Sequence, residues 1–432
     1  MEFRILTNSA CCSASVDCCT STDPVAIIGA GPVGLAAAAH LTSYNIPFII
    51  LEKGQVAANV ATWEHVQLFS PWEFNVDSTA KALLESTGWM MPNKDELPTG
   101  QAFREQYLLP LSQLFQEQLR TNEEVFAITK LDADKMKSKN RANKPFVIFT
   151  KTGHSTNTYK ARAIIDATGT WGHPNPTVSH GVWLPSEEAV AERIIYTIPN
   201  IKNALLRYEN KRIAVVGGGH SAINSLLQLV ELKEAYPETE ITWVLRKKRV
   251  EDALGGGTAD ELAARGELGL KMKELLSNQT VQVETPFYIQ SIFQKEDGLM
   301  LKDAEREIGP FDELVVNTGN RPNFTFHSEL RYEVDPITEA VSKIASLIDP
   351  NLHSCGTVPA HGEKELRQPE EGFYIVGSKS YGRAPTFLMA TGYEQVRSIV
   401  AYLAGDVGAS LDVKLNLPET GVCNTGIDGC CQ

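Results

Sequence analysis

Val25 to Glu52, VAIIGAGPVGLAAAAHLTSYNIPFIILE, limits what this chain can fold into more than any other stretch. A short apolar run, Val25 to Ile28, has the length of a buried strand. Gly29, Gly31 and Gly34 follow in G-x-G-x-x-G spacing, and then an Ala-rich segment of good helix propensity. A second apolar run, Phe48 to Leu51, ends on Glu52. Strand, turn, helix, strand and acid in this order predict a dinucleotide-binding unit. Gly29 makes the tight turn, Gly31 admits a pyrophosphate, and Gly34 lets helix and strand pack closely. The helix N-terminus offers its N–H groups to phosphate, and Glu52 is placed for a ribose. The bland alternative is a glycine-rich turn.

A second unit of this kind begins at Arg212, RIAVVGGGHSAINSLLQLV, with Gly217, Gly219 and Ala222 after an apolar strand and Ser221 inside the turn. Its next strand, Ile241 to Leu245, ends on Arg246, Lys247, Lys248 and Arg249 instead of an acid. An acid there would accept from a ribose 2′-OH; cations match a 2′-phosphate. The unit is therefore expected to prefer NADPH over NADH, with Arg246 first and Lys247 beside it. A solvated strand end is the alternative. Two further strands end in Thr-Gly, at Thr168-Gly169 and Thr318-Gly319, where glycine lets backbone come close to a bound dinucleotide. Phe373 to Val376 runs into Gly377, and Thr391-Gly392 opens a helix to Leu403. A helix is also expected from Pro98-Thr99-Gly100 through Phe103 to Leu119.

The formal charge of −13 argues against a general nucleic-acid or anionic-membrane surface. No apolar run approaches the roughly 18 residues of a membrane span. The N-terminus lacks the pattern of a signal peptide, so the cytoplasm is the expected location.

Seven of the eight cysteines lie near the ends: Cys11, Cys12, Cys18, Cys19, Cys423, Cys430 and Cys431. Only Cys355 lies in the body. Adjacent cysteines close a small, strained disulfide ring, whereas as thiolates they suit soft, thiophilic ions. Spacing alone does not select arsenic over mercury, copper or zinc, and incidental cysteine in mobile tails is the alternative.

Together these pieces resemble the flavoproteins with two dinucleotide-binding domains, namely the disulfide reductases, thioredoxin reductases and class B flavin monooxygenases. The resemblance covers roughly residues 24–405. It implies an α/β fold with two Rossmann-like domains, the NADPH domain inserted in a discontinuous FAD domain. The expected division is a Cys-rich tail at 1–23, FAD domain at 24–205, NADPH domain at 206–284, FAD domain again at 285–410, and a second Cys-rich tail at 411–432. FAD is implied on Gly29, Gly31, Gly34 and Glu52, and NADPH on Gly217, Gly219, Ala222 and Arg246. Trp63, His65, Phe69 and Trp72 would form a wall of the flavin pocket, or else core aromatics beside a loop. The N-terminus of the Thr391-Gly392 helix would face the flavin pyrimidine. One departure is Gly377-Ser378, where these families usually carry Gly-Asp with the aspartate on the ribitol.

The body has no C-x4-C near Val60 and no C-x-x-C in the NADPH unit, so the redox disulfide of the reductase branches is missing from it. Electrons must pass straight from flavin to an acceptor, the simplest being O2. The F-x-G-x3-H fingerprint of class B monooxygenases is not cleanly present before Arg212, so oxygenation rests on exclusion and resemblance. The runs His65 to Trp72, Ser380 to Pro385 and Glu419 to Cys423 resemble flavin monooxygenases of bacterial arsenic-resistance operons. Those oxidise methylarsenite to methylarsenate, which implies a trivalent arsenical substrate and thiol ligands in the tails. Cys355 and His361, in a Gly/Pro-rich loop, are the candidate receiving thiol and proton donor; a small apolar residue and a loop histidine are the alternatives. The other functional readings are a metal-ion reductase of mercuric-reductase type and a thiol-rich metalloid-binding protein on an idle flavoprotein body. Oligomeric state stays open.

Overall fold

The computed structural model describes residues 23–254, 263–349 and 360–415, with 263–268 by backbone alone. The first sheet runs, edge to edge, Phe373–Ile375, Ala163–Asp166, Val25–Ile28, Phe48–Leu51 and Leu119–Arg120, all parallel. Its middle strands are buried along their whole length, as a parallel sheet covered on both faces requires. The helix Pro32–Ser43 starts on a proline whose missing N–H costs nothing at that position. Its Ala-rich surface, buried from Val33 to Leu41, packs against the helix Met389–Leu403. A Cβ on Gly392 would lie 2.6 Å from Val33 Cγ2, so glycine there sets how closely the two helices approach.

The second sheet runs Gln282–Glu284, Glu240–Val244, Arg212–Val216, Glu313–Val316 and Ile194–Ile195, again wholly parallel. Ile213 and Val215 join one core cluster and Ala214 and Val216 the other, the period-two alternation of a strand with two covered faces. This sheet draws strands from residues 194 to 316 and so exceeds the expected 206–284. The cause is pairing order: Glu313–Val316 inserts between Arg212–Val216 and Ile194–Ile195, strands that the sequence pattern alone leaves outside the unit. Each sheet is accompanied by a three-stranded antiparallel meander, Glu124–Lys130 with Phe146–Thr152 and Ser155–Ala161, and Ser291–Lys295 with Gly298–Lys302 and Glu307–Phe311.

The helix expected to reach Leu119 stops at Gln113. It begins at Gly100, capped by Thr99 Oγ1, and widens to a π turn over Arg104–Leu108. Pro110 explains the widening, because it has no N–H for the carbonyl four residues back and its ring crowds that turn. That carbonyl, Gln106 O, instead accepts a 2.7 Å bond from Trp89 Nε1. Leu119–Arg120 then serves as the edge strand beside Phe48–Leu51. Among the described residues no helix is long and apolar enough to cross a membrane.

Candidate functional site

The two parallel sheets open their glycine turns onto one cleft of about 1580 Å³. This exceeds the roughly 300–1,000 Å³ of ordinary ligand pockets.

Gly29 has φ +102°, and a Cβ there would sit 2.9 Å from Ala167 O. A Cβ on Gly34 would lie 2.0 Å from Gly29 O, so this glycine serves packing and does not line the cleft. Gly31 is different: it lines the cleft and nothing lies within 4 Å of where its Cβ would be. It is also the N-cap of Pro32–Ser43 and supplies no side chain to the helix end, which leaves that end open to an anion. Glu52 lines the same end of the cleft. Its Oε2 accepts from Ala30 N and its Oε1 from Gly54 N, both at 2.8 Å. A carboxylate has about four lone-pair sites, so capacity remains for ribose hydroxyls. Open glycine, uncapped helix end and oriented carboxylate together fit FAD.

Beside this turn, Thr168, Gly169, Gly377 and Ser378 also line the cleft. Ser378 Oγ would be 3.3 Å from a Cβ on Gly169, so the two strand exits nearly touch. Directly behind them lies a cluster of charged groups. Asp166, Lys379 and His327 are all fully buried. Lys379 Nζ donates to Asp166 Oδ2 at 2.6 Å and to Thr168 Oγ1 at 3.0 Å. Thr168 in turn donates to Asp166 Oδ1 from its N (3.0 Å) and Oγ1 (2.7 Å). His327 Nε2 lies 2.8 Å from Asp166 Oδ2, out of line for a hydrogen bond, and Phe326 covers the ammonium at 4.5 Å. Burial pushes the Asp166 carboxyl upward, but the charge of Lys379 and the His327 contact outweigh it and hold it below the usual range. Burial lowers both Lys379 and His327, with Asp166 opposing.

Of the four aromatic-run residues, Trp63 and Phe69 line the cleft. Trp72 is only 3% exposed and packs on Phe103 in the core, because its apolar ring completes the buried face of the Trp72–Asn75 turn. His65 also stays off the cleft, and burial lowers its basicity, with the backbone of Ile198 and Pro199 opposing.

In the second unit Gly217 has φ +134°, and a Cβ there would lie 2.3 Å from Asn317 O. Trp243 Nε1 donates to Gly217 O at 2.7 Å and fixes the turn. Gly219 and Ser221 line the cleft, and Gly219 has nothing within 4 Å of its missing Cβ. Ala222 is fully buried and takes the packing role of Gly34. Arg246, Lys247 and Gly319 also line the cleft. Lys247 Nζ donates to Asp252 O, whereas Arg246 is exposed with no ion-pair partner among the described residues. Phe69 meets the His220 ring edge-on at 5.6 Å and so links the two units. The arrangement fits NADPH on this side.

Three expected site residues lie elsewhere. His361 is 1% exposed and absent from the cleft wall. Its Nε2 pairs with Tyr381 Oη at 2.9 Å, and burial pushes its pKa down to about 4. A buried neutral imidazole facing a tyrosine is a core contact, so the proton-donor expectation fails on geometry. Thr391 and Gly392 sit behind Leu388 and Met389, which are the residues that bring this helix end to the cleft. Cys355 and the seven tail cysteines, Cys11, Cys12, Cys18, Cys19, Cys423, Cys430 and Cys431, lie outside the described residues. Sequence reasoning misses Asp166, Lys379 and His327. The signal available is an acid immediately before Ala167-Thr168-Gly169 and a lysine just after Gly377-Ser378.

Two parallel sheets that each turn a glycine loop onto one shared cleft define a flavoprotein oxidoreductase with two dinucleotide-binding domains, using FAD and NADPH. The chain belongs to the pyridine nucleotide-disulphide oxidoreductase family, which it matches over residues 26–343. It is similar to bacilliredoxin reductase Bdr of Bacillus subtilis, 24% identical over 317 residues, 72% of this chain and 81% of the relative. Its identity to the ferredoxin–NADP reductase of Levilactobacillus brevis is 25% over 387 residues, 87% of this chain and 90% of the relative. Its fold is like that of FAD-bound DfoA, the cadaverine monooxygenase of desferrioxamine biosynthesis from Erwinia amylovora. That likeness has a TM-score of 0.61 at 12% identity, covering 92% of this chain and 98% of DfoA.

Proposed function

We propose that this protein is an FAD- and NADPH-dependent monooxygenase that oxidises a soft trivalent arsenical, methylarsenite to methylarsenate, in arsenic detoxification in the cytoplasm. The observation that carries the reading is the absence from the sequence of any C-x4-C or C-x-x-C pair in the body, beside seven cysteines gathered near the two ends. Without an internal dithiol relay, two electrons from NADPH go through the flavin to O2. One oxygen atom passes to arsenic, whose lone pair forms the new bond and which rises from trivalent to pentavalent. The other leaves as water with two protons. The tail thiols capture the substrate, and Cys355 receives it.

The flavin supplies the redox chemistry when bound. The chain's own part is positioning. Gly31 and Gly219 admit phosphates, Glu52 orients a ribose, and Trp63 and Phe69 wall the cleft against water. The fold of DfoA, a cadaverine monooxygenase, is compatible with this use. The experiment is turnover of FAD-loaded protein with NADPH, methylarsenite and isotopically labelled O2. One labelled oxygen in the methylarsenate is the expected result; unlabelled product rejects oxygen transfer.

A second reading is favoured by the curated relatives, two of which are named reductases. In it the electrons go to a metal ion or a disulfide, and turnover continues without O2.

A further inference from the structure

Arg383 belongs to the FAD side of the cleft, in the turn after Gly377–Tyr381. Its backbone is tightly mounted. Arg383 N donates to Thr338 O at 2.8 Å, Gly382 N to Lys379 O at 3.1 Å, and Ala384 N to Tyr381 O at 3.0 Å. Gly382 has φ +60°, and any Cβ there would lie 2.3 Å from Thr338 O. From this fixed turn the Arg383 side chain is exposed, lines the cleft, and has no hydrogen bond or ion pair among the described residues. Two other guanidinium groups share the cleft. Arg246 lies two residues past the strand Glu240–Val244 of the NADPH-side unit, and Arg321 follows Gly319-Asn320 with its Nε on Asn175 Oδ1 at 3.1 Å. Burial and then Arg321 lower the Arg383 guanidinium, Glu339 opposes, and Arg246 lowers it further, so Arg383 senses both other cations. Three guanidinium groups on one cleft, with Glu339 the carboxylate that Arg383 senses, leave an excess of positive charge that suits an anion, in a chain of net charge −13.

The position of Arg246 selects the anion. The end of the second strand in a dinucleotide unit is where the adenosine ribose 2′ position lies. A phosphomonoester carries about −1.5 to −2 charge near pH 7 and three acceptor oxygens, enough for guanidinium groups on two sides. We infer that Arg383, from the FAD domain, completes the 2′-phosphate site with Arg246, so that NADPH is gripped by both domains at its adenosine end. Arg321, tied to Asn175, adds a third cation to the same cleft. The inference rests on NADPH occupying the Gly217–Ala222 unit.

The test is calorimetric titration of FAD-loaded enzyme with 2′,5′-ADP and with 5′-AMP, for the parent, Arg383→Gln and Arg246→Gln. Both variants are expected to weaken 2′,5′-ADP by about tenfold, the scale of one charged hydrogen bond, and to leave 5′-AMP unchanged. In turnover, Arg383→Gln raises KM for NADPH at unchanged kcat and leaves NADH kinetics as they were. If Arg246→Gln weakens 2′,5′-ADP and Arg383→Gln does not, the two-domain grip is wrong while the nucleotide site stands. If neither variant weakens it, the placement of NADPH itself is wrong. Both arginines are exposed, and retained flavin absorbance confirms that each variant is folded.

Discussion

Lys379 Nζ and Asp166 Oδ2 are 2.6 Å apart, both fully buried, one turn of chain behind the strand exits that wall the cleft. The pair ties the turn Gly377–Tyr381, at the end of Phe373–Ile375, to Ala163–Asp166, and through Thr168 Oγ1 it fixes the Ala167–Gly169 exit. Lys379→Met leaves Asp166 charged and without its partner. Breaking a buried pair from one side typically costs about 3–5 kcal/mol, so the melting temperature falls and flavin is retained less well. Adding Asp166→Asn recovers part of the loss. Thermal unfolding of the two singles and the double measures the coupling.

The same carboxylate sets an acid limit. Its pKa is depressed in the folded protein, so its contribution is present above the ordinary carboxylate range near 4 and is lost as pH falls through the folded value. Unfolding curves between neutral and acid pH are expected to lose this slope in Asp166→Asn.

His361 gives the opposite chemistry and a different window. Its folded pKa of about 4 lies below its ordinary value near 6.5. Between these values the unfolded chain binds more protons, so stability rises with pH there and declines as pH drops from 6.5 toward 4. The contribution is at most on the order of 3 kcal/mol. His361→Phe flattens this dependence in unfolding measurements, and the pH profile of turnover near neutrality is unaltered.

The paired glycines separate binding from folding. Gly34→Ala drives a Cβ to 2.0 Å from Gly29 O, so low soluble yield and a reduced melting temperature are expected. Gly31→Ala meets no protein atom within 4 Å and is expected to fold, but its methyl stands where a pyrophosphate approaches. The flavin-to-protein absorbance ratio of purified Gly31→Ala falls, and NADPH oxidation falls with it.

Glu52→Ala removes the acceptor for both Ala30 N and Gly54 N as well as the ribose contact. Flavin retention is expected to drop by tenfold or more, since charged hydrogen bonds are worth roughly 1.5–3 kcal/mol each. Equilibrium dialysis against free FAD measures the change.

Strand ends are legible in the sequence because glycine spacing and apolar runs are local signals. Val25–Ile28, Phe48–Leu51 and Ala163–Asp166 fall where those runs place them. Features set by distant pairing are hidden. Glu313–Val316 belongs to the second sheet only because it hydrogen-bonds Arg212–Val216, about a hundred residues earlier in the chain. Lys379 reads as an ordinary charged residue until the fold brings it to Asp166. His361 looks chemical because histidine in a Gly/Pro-rich loop is often exposed, yet Tyr381 and the surrounding core enclose it. The widening of the helix over Arg104–Leu108 is legible in Pro110, which breaks the ladder from within.

The measurement that bears most directly on the account is NADPH and O2 consumption by FAD-loaded enzyme with and without methylarsenite, in air and under argon. Oxygen transfer requires stimulation by methylarsenite in air, with one O2 consumed and one methylarsenate formed per NADPH, and none under argon. Stimulation that persists under argon would contradict it and assign the electrons to another acceptor.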